Sequence, residues 1–226
     1  MSRPPLPPFT HETATQMVRL DRPAMYASDV AFTQTVKAIQ GRKGSRNAYA
    51  RMEQGGSWEQ SITGELKSEI EAQTSVFLAT ANSEGQPYIQ HRGGPAGFLQ
   101  VLDEHTIGFA DFAGNRQYIT QGNLEENPKA QLFLIDYVNR RRIKIWGTAR
   151  VVEGDDALLQ RLMPAGYRAR PEQVMLFTVN AWDVNCPQHI PQRFEAADVN
   201  AAILSRDQRI ATLEAEVRRL RQDPAT

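Results

Sequence analysis

From Ser75 to Val184 the chain is a succession of short apolar runs. Turn-forming residues close each run. The long amphipathic helices needed to connect parallel strands are missing between most of them. SVFLATA (75–81) reads as a buried strand, NSEGQ (82–86) as a hairpin turn and PYIQHR (87–92) as the returning strand. Pro87 is tolerated there because it stands at a strand start. FLQVLD (98–103) and TIGFA (106–110) pair around a polar turn. A helix fits 115–126 and ends at Asn127-Pro128. QLFLID (131–136), RIKIWGTARVVE (142–153) and VMLFTVNAWDV (174–184) complete the strands. Asp155 or Asp156 caps a short helix between the last two, reaching about Met163. The pattern predicts a mainly β protein with helices, an antiparallel barrel of about six strands.

The flanks differ in kind. Prolines at 4, 5, 7 and 8 predict an extended arm over 1–27. Ser28 is then the expected N-cap of a helix to Gln40, stopped by Gly41. A second helix is expected over 45–53, closed by Gly55 and Gly56. A third spans 63–73, capped by Thr63, with Ile62, Leu66 and Ile70 on one face. The expected division is therefore an N-terminal arm and helical extension (1–62), a barrel (63–195) and a C-terminal helix (196–226). In that helix Ile203, Ile210 and Val217 hold heptad position a, and Val199, Leu213 and Leu220 hold d. Arg206 breaks the seam. Ile and Val at a with Leu at d is the pattern of a parallel two-stranded coiled coil. Arg209 at g would face Glu214 at e of a partner helix, and Glu216 would face Arg221. The same stripe also suits a helix packed on its own barrel.

Charge and motif content exclude several functions. Lys plus Arg number 26 and Asp plus Glu 26, so no global field recruits nucleic acid or an acidic membrane. No run approaches the roughly 20 apolar residues of a membrane helix, and the proline-rich start is unlike a secretory signal. A single cysteine, Cys186, fits a reducing compartment, and the cytoplasm is the expected location. There is no GxGxxG after a strand, no P-loop, no HExxH, no CxxC and no GxSxG. GRKGSR (41–46) is basic and glycine-rich but follows a helix, so it reads as a connector. His11, His91, His105 and His189 are scattered, and no metal site is expected. Cys186 and His189 lack an acid at a useful spacing and are not read as a catalytic pair.

What remains is arginine at strand ends. HRGGP (91–95) sets Arg92 at the end of one strand. DFAGNR (111–116) leaves the next strand and opens a helix, where backbone N–H groups and Arg116 suit a phosphate. RRR (140–142) opens a third strand. Singly, each fits a solvated arginine near a turn. Together, a doubly charged phosphate would explain them.

In that order (HRGG, TIGFAD, FAGNRQ, a helix ending in NP, then RRRIKIWG) the chain resembles the FMN-binding split barrels of the pyridoxamine 5′-phosphate oxidase family over about 70–195. The resemblance implies an FMN flavoprotein, an FMN-dependent oxidoreductase working as a cytoplasmic homodimer with flavin at the subunit interface. It implies that Arg92 lies near the family's first flavin-holding strand. Asn115, Arg116 and Gln117 stand where that family carries Ser-Arg-Lys, and Arg142 stands where it carries glutamine. Around them Gln90, His91, Gly93 and Asp111 are cofactor-site candidates, Asp111 alternatively serving as a helix cap. Trp182 and Trp146 are candidates for an apolar wall, and the 182–190 segment, with Gln188 and His189, for contacts given by the partner subunit. The electron donor that suits this reading is a nicotinamide nucleotide (NAD(P)H), although no segment displays a pocket for one. CPQHIPQR lacks the leading arginine of the oxidase's substrate-gripping Arg-x-His segment, and Gln117 replaces its lysine. Oxidation of pyridoxamine 5′-phosphate itself is therefore disfavoured. A non-catalytic flavin-binding, storage or sensing protein is the alternative.

Overall fold

The computed structural model describes residues 25–185 and 187–222. The predicted arm before residue 25 and Cys186 lie outside them. A 3₁₀ turn (Ala27–Val30) leads into α1 (Gln34–Lys43) and α2 (Arg46–Gln54), followed by α3 (Gly64–Ala72). The strands are β1 (Ser75–Ala81), β2 (Pro87–Gly93), β3 (Gln100–Val101), β4 (Thr106–Phe112), β5 (Lys129–Asp136), β6 (Arg141–Val152) and β7 (Pro171–Asn185). Helix α4 (Ile119–Glu126) precedes β5, α5 (Asp156–Leu162) precedes β7, and α6 (Ala196–Gln222) follows it.

All pairings are antiparallel, in the order β2-β1-β5-β6-β7-β4-β3. The sheet thus has seven strands, not six. Each segment expected as a strand forms one, but the shortest, β3, keeps only two residues of the expected 98–103. Phe98 and Leu99 turn inward instead and are fully buried. A turn in which Phe98 N–H donates to Pro95 O (2.9 Å) directs them there.

Strand alternation builds the interior. Val76 and Leu78 of β1, Leu132 and Leu134 of β5, Ile143 and Ile145 of β6, and Phe177 and Val179 of β7 form one buried cluster with Ile107 and Phe109. Such continuous apolar burial, about 25 cal/mol per Å², is what holds the sheet curved around a core. A bulge between Trp146 and Gly147 lets the long strand β6 bend. At Gly147 a Cβ would lie 2.0 Å from Thr178 O, so no other residue fits this backbone approach.

Thr63 caps α3 and Asp155 caps α5 as expected, accepting from Leu66 N (3.2 Å) and Leu158 N (2.9 Å). Ser28 is not the cap of α1. Thr33 is, accepting from Val36 N at 3.2 Å. Ser28 is instead fully buried beside Ser57 and Glu53. The helix also runs through Gly41 and stops at Gly44, whose φ of +82° makes the left-handed turn that ends it. Glu53, buried, receives both Lys37 and Arg46, which ties the N-terminal helices together. Trp58 then stacks flat on Trp146 of the outer sheet face, ring centroids 4.6 Å apart.

Candidate functional site

The sheet does not close by backbone pairing. Its edge strand β2 and the penultimate strand β4 curl toward each other, and side chains bridge the gap. Arg92 at the end of β2 meets Asp111 near the end of β4, nitrogen to oxygen 2.8 Å. Thr120 at the start of α4 donates to Gln90 Oε1 at 2.7 Å. The period-two rule places Tyr88, Gln90 and Arg92 on the inner face of β2, while Ile89 and His91 point outward.

This split opens into a cavity of about 240 Å³. Gln90 and Arg92 line one side, Asp111 and Gln173 the floor, and the 114–118 loop the rim. The loop replaces the first turns of the expected 115–126 helix. Arg116 (φ +59°) and Tyr118 (φ +53°) both sit in the left-handed region, outside helical backbone geometry, so α4 begins only after them, at Ile119. Arg116 Nε donates to Tyr118 Oη (3.1 Å), which donates in turn to Glu172 Oε1 (2.8 Å). Asn115 Oδ1 accepts from Gln117 N at 3.3 Å.

The electrostatics are mixed. Asp111 also accepts from Gln173 Nε2 (3.1 Å), yet burial pushes its carboxyl above the ordinary range in spite of Arg92. Arg92 Nε is buried without a hydrogen-bond partner among the described residues. A buried N–H left open in this way costs about 1–3 kcal/mol, a cost that a bound acceptor would remove. Only the Nε of Arg116 is engaged among the described residues, so the rest of its exposed fork can take an anion.

Of the candidates from the sequence, Gln90, Arg92, Asp111, Asn115, Arg116 and Gln117 meet at the split. Asp111 is not a helix cap. His91 and Gly93 border the adjoining hollow. The His91 ring faces out, 2.8 Å from Ser75 Oγ, against Phe77. Arg142, Trp182, Gln188 and His189 lie elsewhere. One register row crosses the sheet through His91, Phe77, Phe133, Lys144 and Asp183. Arg142 is on the same strand as Lys144, with two strands between it and β2, roughly 14 Å at the usual strand spacing. Trp182 packs against the core and donates Nε1–H to Ser61 O at 2.8 Å. Trp146 is covered by Trp58. Gln188 and His189 are exposed on a turn. Sequence reading missed Tyr88, Tyr118, Thr120, Glu172 and Gln173. Only Tyr88 had a signal, its alternation with Gln90 and Arg92. Tyr118 and Thr120 follow directly on the candidate loop, inside the expected helix, and Glu172 and Gln173 reach the split from a strand far along the chain.

The family model for pyridoxamine 5′-phosphate oxidase matches residues 62–186. That span is more than half the chain and contains every strand and the whole split. The chain belongs to this family. No curated protein matches it. Among solved structures, HupZ of Group A Streptococcus is 22% identical, with a TM-score of 0.46 over 59% of this chain and 99% of its own. A protein related to general stress protein 26, of the pyridoxinephosphate oxidase family, from Clostridium acetobutylicum is 16% identical, with a TM-score of 0.41 over 60% and 94%. An FMN-binding protein from Syntrophomonas wolfei is 12% identical, with a TM-score of 0.42 over 65% and 97%. These likenesses are too distant to transfer a function to this family member. No described helix is long and apolar enough to cross a membrane. No group of His, Cys, Asp or Glu among the described residues could hold a metal ion.

Proposed function

We propose that this member of the family is an FMN-binding flavoprotein, acting as a homodimer, with the flavin phosphate seated in the split between β2 and β4. The observation that carries the reading is the convergence of Gln90 and Arg92 with the Asn115–Arg116–Gln117 loop on one cleft, where Arg92 Nε is buried and has no partner among the described residues. The residues fit a phosphorylated ligand. Arg92 offers an N–H whose partner is missing, Arg116 an exposed charged fork, and the loop its backbone donors. Tyr118 and Glu172 hold Arg116 in place. Asp111 orients Arg92 at the cost of offsetting its charge.

The flavin, when bound, supplies hydride or single-electron transfer. The protein's part is to seat and orient it. Arg142 and the segment containing Gln188 and His189 lie away from the split of their own subunit. A homodimer would bring them to the partner's site, the role the family resemblance implies for them. On this reading the protein is an FMN-dependent oxidoreductase, and NADH or NADPH is the donor class to test.

One observation favours the alternative of a non-catalytic flavin carrier or sensor. Arg92 and Asp111 are paired with each other, and Arg116 and Glu172 are both bonded to Tyr118. Among the described residues, both carboxylates that line the split, Asp111 and Glu172, are already engaged, so neither stands free to move a proton.

Two experiments separate these readings. Titration of purified protein with FMN, followed by flavin absorbance and fluorescence, should show saturable binding; its absence overturns the flavin reading. Anaerobic addition of NADH or NADPH to the loaded protein should bleach the flavin if it is an oxidoreductase. An unbleached flavin supports the carrier.

A further inference from the structure

Helix α6 has no cover of its own. It runs for 27 residues, about 40 Å at the helical rise, and none of them is buried. Val199, Ile203, Ile210, Leu213 and Val217 remain 42–48% exposed along one stripe. In proteins most helix stability comes from packing an amphipathic face, and this face has nothing against it among the described residues of its own subunit. Packing on the parent barrel, one of the two expectations for this stripe, is therefore not what the fold provides.

We propose that α6 pairs with α6 of a second copy as a parallel, in-register coiled coil. The apolar residues recur with the heptad spacing of a two-helix seam, Ile and Val at a and Leu at d. Charge decides the occupant and the direction. In a parallel pair, each g residue faces the e residue five positions later on the other helix. Arg209 then meets Glu214, and Glu216 meets Arg221. The symmetry repeats both contacts, and Asp207 faces Ala202, which is neutral. An antiparallel pair that stacks 210 on 213 would set Asp207 against Glu214, a like-charge contact that offsets its one favourable pairing, Arg209 with Glu216. Arg206 at the remaining d position is exposed, and its long stem can leave the seam while its charge stays in water. The coil joins two subunits at a place apart from the split. It does not depend on the flavin reading, since a colourless protein could still pair in this way.

The test uses the full chain with Cys186→Ser, so that introduced thiols are the only ones. Under mild oxidation Leu213→Cys at d should trap a reducible dimer roughly tenfold more than Ser205→Cys at the outward c position, because only a seam position brings two Cβ atoms within disulfide range. Equal trapping at both positions overturns the proposal. So does trapping found only when Ile210→Cys and Leu213→Cys chains are mixed, which would mean antiparallel helices. Charge reversal gives a second arm. Arg209→Glu should reduce trapping through Leu213→Cys several-fold, and Glu214→Arg added to the same chain should restore it. Residues five apart on one helix are separated by about 140° around its axis, so such a rescue can only act between copies. A double variant that stays as poor as Arg209→Glu alone contradicts the pairing.

Discussion

The barrel is closed in two different ways on its two sides. Between β6 and β7, pairing runs the length of both strands, and Ile143, Ile145, Phe177 and Val179 fill the interior behind it. Between β2 and β4 there is no backbone ladder. A charge pair, Arg92 with Asp111, and one hydrogen bond, Thr120 to Gln90, span the gap instead. The difference shows where a protein of this design can admit a ligand. A ladder satisfies its own N–H and C=O groups and leaves nothing to offer. Side chains that bridge a gap keep donors over, such as Arg92 Nε and the outer fork of Arg116.

Substitutions on the two sides should differ accordingly. Gly147→Ala strikes the closed side at its bulge, where the new methyl would collide with Thr178 O and the Phe177 ring. Neither backbone nor buried ring can yield cheaply, so a loss above about 4 kcal/mol is expected, seen as failure to fold or a large drop in Tm. Arg92→Met removes the bridge of the split and strands the Asp111 carboxylate. A loss of about 3 kcal/mol at neutral pH is expected in urea unfolding, partly recovered on acidification as Asp111 takes up a proton.

Asp111→Asn should act with the opposite sign. Burial raises this carboxyl above its ordinary 3.8, so the native state binds the proton more tightly than the unfolded chain. Stability from this group is complete below 3.8 and is lost as pH rises through the raised value. The neutral variant lacks that loss, so at pH 7 it should match or exceed the parent, by under about 1 kcal/mol, and the difference should vanish in acid. Chemical denaturation of both proteins across pH checks this. A parent that gains on the variant as pH rises would contradict the account of the split. Arg116→Gln, on the exposed rim, should change stability by less than about 0.5 kcal/mol.

Much of the closed side could be read from the chain. The two-residue period of RIKIW and the apolar runs SVFLATA and QLFLID specify which residues face inward, and local chemistry placed Thr63 and Asp155 as caps. Ser28 and Thr33 are both good capping residues, and only the tertiary contact of Ser28 with Glu53 decides between them. The split was legible in part. Arg92, Asp111 and the 115–117 loop carried strand-end signals, but the pairing of Arg92 with Asp111 and the contributions of Glu172 and Gln173 depend on contacts between strands far apart in sequence. Arg116 and Tyr118 in left-handed backbone conformations shortened the expected helix for a reason no local propensity reveals.

Seating of a flavin phosphate in the split is the central claim, and a fluorescence titration with FMN of the parent protein and Arg116→Gln tests it most directly. The parent should quench flavin fluorescence saturably. The variant should keep its fold and bind at least about tenfold more weakly, the worth of one charge-assisted contact. Equal affinity in the two proteins, or no quenching by the parent in excess cofactor, would contradict it.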